Sequence, residues 1–525
     1  MKKALLVHPP FPENGFWNYK PVCALLGAKY PAPPLGLITV AGLFPDQWDL
    51  KLVDMNSDVL TEGHIEWADI VLTGGMLPQQ KNILALMERI HGLGKRVVLG
   101  GPDPSTQPDI YRDADYIVVG EAEGVFTGLL DDLEKNVTCG IYSSDEKADL
   151  SASPVPRYDL LDFGNYLMMG TQFSRGCPFN CEFCNVVELF GRTPRTKSPD
   201  QVIRELERLY SLGYRGHVDF VDDNFIGNKR TAKEILAVLR DWLRDRGHPF
   251  YFSTEASINL ADDDELLDLM CEVDFRYVFI GIESADRKAL AGSKKFQNVT
   301  RNITDDLMKI YRRGIVVNSG FILGFDHETS ESARMIVDTV EDGMIPMAMV
   351  GLLYALPNTQ LTRRLLAEGR ISETAGEIED DWEIDQTTSG INFETVRPRA
   401  EILHDYLHVI TSIYDDECYF DRVLRLGMSM NIMPKHVMKT GMRVKSIIGF
   451  FRLVRIMGFS KKRSRLFWRN IVQLIFRKPS SLETVINLMA MHVHFKNQTG
   501  HIAGIIIERI DRLGEPVPEK IKVLA

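Results

Sequence analysis

The chain has 525 residues, 45% of them hydrophobic and 25% charged, which excludes a mainly disordered or fibrous protein. At roughly 100–200 residues per domain it holds three or four units. The net charge of -11 gives no overall basic field, and no nucleic-acid partner is expected. The seven cysteines, Cys23, Cys139, Cys177, Cys181, Cys184, Cys271 and Cys418, are odd in number and scattered, a poor disulfide framework. Three fall within one short segment, which points to a reducing compartment and a metal. No signal-peptide pattern and no apolar run of about 18–20 residues is seen, so a cytoplasmic location is expected.

In residues 1–145 five β-branched runs recur: Ala4–Val7, Leu50–Val53, Ile70–Leu72, Arg96–Leu99 and Tyr116–Val119. Strands apolar on both faces, with helical stretches such as Gln80–Leu93 between them, predict a parallel sheet covered by helices. The strand ends read His8-Pro9-Pro10, Asp54-Met55-Asn56, Thr73-Gly74-Gly75-Met76, Gly100-Gly101-Pro102-Asp103 and Gly120-Glu121-Ala122-Glu123. Open α/β sheets bind ligands outside these carboxyl ends, where glycine lets backbone approach the ligand. No Gly-x-Gly-x-x-Gly follows the first strand, which argues against an ordinary dinucleotide fold.

These motifs, with Pro33-Pro34-Leu35-Gly36-Leu37 and Val53-Asp54, resemble the cobalamin-binding domain that precedes a radical S-adenosylmethionine (SAM) domain in one large enzyme class. The resemblance implies cobalamin contacts at Asp54, Asn56, Thr73, Gly74, Gly75, Met76, Gly100, Gly101, Pro102 and Glu121. Many such domains carry Asp-x-His-x-x-Gly, whose histidine ligates cobalt. Here Asn56 stands at the histidine position and Val59 at the glycine. No protein ligand to cobalt is therefore expected, and His8 and His64 are read as structural or exposed.

Residues 146–164 read as a linker. The segment Cys177-Pro178-Phe179-Asn180-Cys181-Glu182-Phe183-Cys184 has Cys-x3-Cys-x2-Cys spacing. Thiolates suit zinc or iron–sulfur, but structural zinc wants four ligands with paired spacings. One compact triplet can hold three irons of a [4Fe–4S] cluster and leave the fourth open to a cofactor. It is the signature triplet of radical SAM enzymes, with Phe183 before the last cysteine. In that family the open iron chelates SAM, and SAM cleavage releases a 5′-deoxyadenosyl radical.

Strand candidates then follow at Leu167–Phe173, Gly216–Val221, Tyr251–Ala256, Tyr277–Ile282, Val316–Leu323 and Met347–Leu353, with helices such as Pro199–Leu212 and Thr231–Arg246 between them. Six βα units over 165–362 predict a partial parallel barrel with chemistry at the carboxyl ends of its strands. By resemblance, Asp222, Asp223 and Asn224 lie near the SAM amino group, Glu255 on the ribose hydroxyls, and Glu283 and Ser284 at further SAM contacts. Gly320–Gly324 runs under the adenine.

Residues 363–525 read as mainly helical, after an acidic, exposed stretch at Ile371–Asp385. From Arg422 through Leu482 there is no Asp or Glu, and thirteen Lys or Arg lie between Pro434 and Lys478. Apolar helices with cationic flanks and embedded Trp and Phe match an interfacial anchor. A basic face docked on an acidic partner domain is the alternative.

The whole layout is α/β with a helical end, and resembles the subgroup that includes hopanoid C-methylases. It implies a cobalamin-dependent radical SAM C-methyltransferase acting on an unactivated carbon, with the [4Fe–4S] cluster, SAM and cobalamin as cofactors. The basic apolar segment adds the expectation of a lipid or isoprenoid substrate and peripheral contact with the inner face of the membrane. A reducing donor such as flavodoxin or ferredoxin is implied. Two alternatives stay open: a non-methylating oxidative cyclisation or rearrangement, and a non-catalytic cobalamin or iron–sulfur sensor.

Overall fold

The computed structural model describes residues 2–371, 385, 387–436, 438 and 440–516. The first sheet contains β1 (Lys2–His8), β2 (Trp48–Asp54), β3 (Ile70–Gly74), β4 (Arg96–Gly100), β5 (Tyr116–Val119) and β6 (Gly140–Ser143) in the order β2-β1-β3-β4-β5-β6. All pairings are parallel. Alternate residues feed two separate cores. Leu5, Val7, Val71 and Leu99 pack on one face, and Ala4, Leu6, Leu72 and Val98 on the other. That is why these runs are apolar throughout. The sixth strand escaped the sequence reading because Gly140-Ile141-Tyr142-Ser143 is half open at the sheet edge and has no continuous apolar run.

The second sheet runs in chain order: β7 (Met169–Thr171), then β10 (Gly216–Phe220), β11 (Phe250–Ala256), β12 (Phe275–Glu283), β13 (Val316–Leu323) and β14 (Ala348–Leu352). All are parallel, and the expected partial barrel is present. A two-residue ribbon, β8 (Ser174–Arg175) with β9 (Arg195–Thr196), brackets the cysteine loop. The outer helices follow from local signals. Pro199–Ser211 starts at a Ser198–Gln201 capping box with proline in its first turn, and buries Val202, Leu206 and Leu209 at helical spacing.

The C-terminal helices Arg399–Ile413, Asp416–Ser429, Thr440–Leu453, Ser464–Arg477 and Leu482–Arg512 share one core with the barrel. On the last of them, the Phe495 ring lies 5.1 Å from Phe16 and 4.9 Å from Tyr414. It thereby pins the loop after β1 to the barrel. Among the described residues no helix is long and apolar enough to cross a membrane. The acidic stretch Ile371–Asp385 lies outside the described residues apart from its two ends.

The carboxyl edges of the two sheets face each other. Arg175, on β8, reaches Glu121 at 2.9 Å and Glu123 at 2.7 Å, both just beyond β5, and Arg195 reaches Glu121 at 2.9 Å. Asn358 Nδ2 donates to the Thr106 carbonyl at 2.5 Å, a second bridge between the sheets.

At the first edge β3 and β4 cross closely: a Cβ on Gly74 would lie 1.9 Å from the Gly100 carbonyl oxygen, whereas one on Gly100 would meet Val118 at an ordinary 3.6 Å. Gly74→Ala is expected to destabilise the first sheet by about 3 kcal/mol, and Gly100→Ala to be tolerated. Calorimetric melting of the two variants checks this, and equal behaviour would refute the close crossing.

Candidate active site

The three cysteines sit on the loop between β8 and the helix Val186–Phe190, at the mouth of the barrel. Cys181 is buried and Cys177 and Cys184 are half-buried. Burial pushes all three thiols up, Cys184 to about 12. Among the described residues no three His, Cys, Asp or Glu side chains converge on one point as a single-ion site requires; the ligands of a cubane sit on three different irons. Asn224 Nδ2 donates to Cys177 Sγ at 3.9 Å and Gln297 Nε2 to Cys181 Sγ at 3.7 Å. The loop is braced from behind. Glu182 accepts from Arg364 at 2.8 Å, and Arg364 also reaches Asp326 at 2.8 Å. Phe183 turns into a small apolar cluster, its ring 5.7 Å from Phe325.

One cation lies among the thiols. Lys295 is surrounded by protein and feels Glu283, Cys181 and Cys184, and its Nζ donates to Glu283 Oε1 at 2.8 Å. Glu283 adopts φ +69°, in the left-handed region, where the β12–β13 register slips between Gly281 and Glu283. Such strained ends gather at functional sites. The carboxylate folds back over its own strand, so a Cβ on Gly281 would sit 2.2 Å from Glu283 Oε1. Ser284 is buried and caps the following turn, its hydroxyl accepting from Asp286 N at 3.1 Å.

The acidic pair after β10 is turned inward. Asp222, 1% exposed, accepts from Phe173 N at 3.2 Å and Ser174 Oγ at 2.5 Å, and also from Ser174 N. Asp223 accepts from Gly176 N at 2.8 Å. Both therefore hold the backbone that leads into Cys177. Glu255, by contrast, is exposed to the open space inside the barrel. The surrounding barrel wall, then the Asp219, Asp223 and Asp222 carboxylates, push it up to about 8.

At the carboxyl edge of the first sheet the Thr73 hydroxyl is buried without a partner among the described residues, Met76 is 51% exposed, and Gly101 and Gly120 present open backbone. Gly75 and Pro102 flank them, half-buried. Three expected contacts are engaged with protein partners. Asp54 and Asn56 are buried. Asn56 donates to Asp54 Oδ1 at 2.8 Å and accepts from Phe11 N at 2.9 Å, while Glu121 is held by the arginines. His8 has both ring nitrogens engaged, Nδ1 with Asp54 at 3.1 Å and Nε2 with Gln79 at 3.2 Å. The His64 ring accepts from Thr61 N in a helix cap.

Three family models match in order along the chain: the B12 binding domain at residues 22–130, the radical SAM superfamily at 171–340, and the domain of unknown function DUF4070 at 359–505. An uncharacterized methyltransferase of Synechocystis sp. is 40% identical over 498 residues, 94% of this chain and 91% of its own length. The chain belongs to the cobalamin-binding radical SAM enzymes. A hopanoid C-2 methylase of Rhodopseudomonas palustris is 38% identical over 65% of each chain. Among solved folds, the cobalamin-dependent radical SAM enzyme OxsB matches 98% of this chain and 80% of its own at TM-score 0.61 and 16% identity. The methyltransferase TsrM of Kitasatospora setae matches 71% and 76% at TM-score 0.57 and 17% identity.

This cobalamin-binding radical SAM enzyme has residues that fit its three cofactors. Three soft thiols on one loop suit iron–sulfur. An unpartnered buried hydroxyl among open glycines suits a polar, extended cofactor. Both ring nitrogens of His8 are occupied, so it is not free for cobalt. Sequence reasoning missed Lys295, Gln297 and Arg175. A lone lysine, glutamine or arginine carries no motif.

Two outcomes are expected. Reconstituted wild type should hold about four irons, whereas Cys181→Ala should lose most iron and all reductive SAM cleavage, measured as 5′-deoxyadenosine. Glu255 binds its proton more tightly when folded than its ordinary value of 4.5. Its stabilising contribution is thus full below pH 4.5 and is lost as pH rises towards about 8. Glu255→Gln should therefore melt progressively higher than wild type across that window, with a constant gap above it. A pH-independent gap would refute the enclosure.

Proposed function

We propose that the enzyme transfers a methyl group to an unactivated carbon of a lipid or isoprenoid substrate at an anionic membrane surface. The observation that supports this most is the facing of two carboxyl edges: the cysteine loop of the barrel and the open glycine edge of the cobalamin-type sheet, joined through Arg175. When bound there, the cluster and SAM supply a hydrogen-abstracting radical, and cobalamin supplies the methyl group. Cys177, Cys181 and Cys184 hold the cluster. Asn224 and Gln297 donate to its thiolates, and Phe183 packs the loop from behind. Lys295 offsets the negative charge of the thiolates and orients Glu283. Glu255 and Glu283 are the acceptors offered to SAM, with Ser284 fixing the Glu283 turn. Asp222 and Asp223 hold the loop in place. Thr73, Gly75, Met76, Gly101 and Pro102 line the corrin side, with Gly74 and Gly100 shaping it. Asp54, Asn56 and Glu121 brace it. The working divisions are residues 1–145, 146–164, 165–362 and 363–525. A reducing protein such as flavodoxin or ferredoxin supplies the electron.

The lipid assignment rests on the relative named as a hopanoid methylase and on the C-terminal surface. Helices Thr440–Leu453 and Ser464–Arg477 and the connection between them turn large apolar groups outward: Ile447 is 55%, Phe451 66%, Phe476 83% and, in the connection, Phe459 79% exposed. Lys461, Lys462 and Arg465 stand exposed beside them. Contiguous apolar groups rimmed by cations suit an anionic bilayer surface. Some cations do turn inward. Arg452 donates to the Ala24 and Leu25 carbonyls, both at 2.9 Å, so the patch is seated on the helix Lys20–Leu26.

Anaerobically reconstituted enzyme given total lipid extract and methyl-labelled SAM should yield a labelled lipid, S-adenosylhomocysteine and 5′-deoxyadenosine. Formation of 5′-deoxyadenosine alone would replace methylation by the non-methylating rival. The intact enzyme should float with anionic liposomes at low salt and not at high salt. Replacing Lys461, Lys462 and Arg465 by Gln should weaken flotation at roughly 1 kcal/mol per cation. Indifference to anionic liposomes would remove the membrane assignment.

A further inference from the structure

Below the SAM-side residues, the inward faces of β10 and β11 carry a polar chain that none of the chemistry above uses. His217 Nε2 lies 2.7 Å from Ser253 Oγ, and that hydroxyl donates to Asp219 Oδ1. The serine has one proton and spends it on Asp219, so the imidazole nitrogen is the donor to the serine. The chain thus runs His217 to Ser253 to Asp219 and ends on a carboxyl group, whose Oδ2 has no partner among the described residues. His217 and Asp219 are half-buried, while the intervening Val218 and the following Phe220 are wholly buried against the helices. Strand alternation therefore directs the polar pair into the barrel lumen.

Two further polar atoms around this space have no partner among the described residues. Asn318 pairs across the sheet with Phe279 and so shares its face; it is 7% exposed, and its Oδ1 is buried and unpaired. Tyr19 is 9% exposed with its hydroxyl unpaired, and lies close enough to Asp219 to feel its charge. Buried polar atoms are nearly always satisfied in folded proteins, and two orphans around one half-open acid indicate a ligand that completes them. Beside this polar end stands an aromatic wall: Trp17, 46% exposed, with its ring 5.2 Å from Phe279. Trp17 arrives from the loop after β1, and its neighbour Phe16 is fixed by Phe495 of the C-terminal helix.

We infer that the lumen around Asp219, Ser253, Tyr19 and Asn318 is a substrate subsite that recognises a hydrogen-bond-donating end group, hydroxyl or ammonium, on an otherwise apolar substrate held against Trp17 and Phe279. The available groups are mainly acceptors, so the complementary group is a donor. Anchoring one end fixes which carbon of a featureless skeleton lies at the cluster, and near-attack positioning is the main service a protein renders to such a reaction. His217 and Ser253 are positioning residues that orient the Asp219 carboxyl. This inference rests on the lipid-methylating reading.

The test uses the reconstituted enzyme with three tritiated pentacyclic triterpenes in mixed micelles. They share one skeleton and end in a hydrocarbon, an alcohol or a primary amine. Equilibrium binding should favour the alcohol, the amine or both over the hydrocarbon by about tenfold or more, and the preferred arm identifies the donor. Asp219→Leu should erase the preference and leave hydrocarbon binding intact. Ser253→Ala should reduce it, and serves if Asp219→Leu fails to fold. Trp17→Ala should weaken all three alike. Equal binding of the three by wild type, no binding of any, or a preference that survives both the Asp219 and the Ser253 changes would overturn the subsite. Wild-type 5′-deoxyadenosine formation is followed in parallel. Its presence without end-group preference sinks the subsite alone, and its absence sinks the radical reading.

Discussion

Arg175 lies two residues before Cys177, the first of the triplet, and ends in a cage of two carboxylates from the other sheet. Its side chain is 11% exposed and those of Glu121 and Glu123 are each 4% exposed. A pair this well buried is not a large net source of stability, but removing one partner strands a charge, at about 3–5 kcal/mol. The consequence is positional. The cysteine loop cannot move relative to β5 without breaking the bidentate contact, and β5 belongs to the glycine-edged sheet. Two sheets that would otherwise meet through loops are thereby held with their carboxyl edges opposed, as a reaction passing a group between two cofactors requires.

Around that clamp the charges are sorted by depth. Asp222 and Asp223 are consumed by backbone N–H groups of residues 173–176, which sets the path into the cysteine loop. Glu283 is drawn to Lys295. Glu255 faces open space and has no cation of its own among the described residues. The surrounding barrel wall and neighbouring acids raise it, so it favours a proton or a positively charged ligand, and SAM carries positive charge. Lys295 answers the opposite need, because three thiolates on one loop repel one another unless a cation stands among them.

The C-terminal helices serve two faces. Inwardly they finish the barrel core: Arg422 is wholly buried and reaches Glu341 in the last turn of the Ser332–Asp342 helix, and Phe495 locks the loop that carries Trp17. Outwardly they leave aromatic and aliphatic groups in solvent beside exposed lysines. The same helix, Thr440–Leu453, presents Phe451 to solvent and packs Gly449 against Leu25 and Leu26, so the outer surface is mechanically tied to the segment that supplies the lumen wall.

Cys177, Cys181 and Cys184 were legible because the spacing is local: the chemistry of the triplet depends on eight consecutive residues and hardly at all on the fold. The strands were legible because burial on both faces writes long apolar runs, as in Ile70-Val71-Leu72. What each polar residue at a strand end does was not legible. Asp222 and Glu255 look alike in sequence, yet one is tied to backbone and the other is open to the lumen. Asn56 and Glu121 sit at the expected edge with their side chains paired to Asp54 and Arg175. Lys295 becomes a neighbour of the thiols only through the turn that follows β12. The sequence by itself determined which chemistry the chain carries, since ligand spacing and hydrophobic period are properties of neighbours along the chain. Only the tertiary structure decided which carboxylates are free, because that depends on partners 47–54 residues away, and hydrogen bonds over such separations leave no periodic trace.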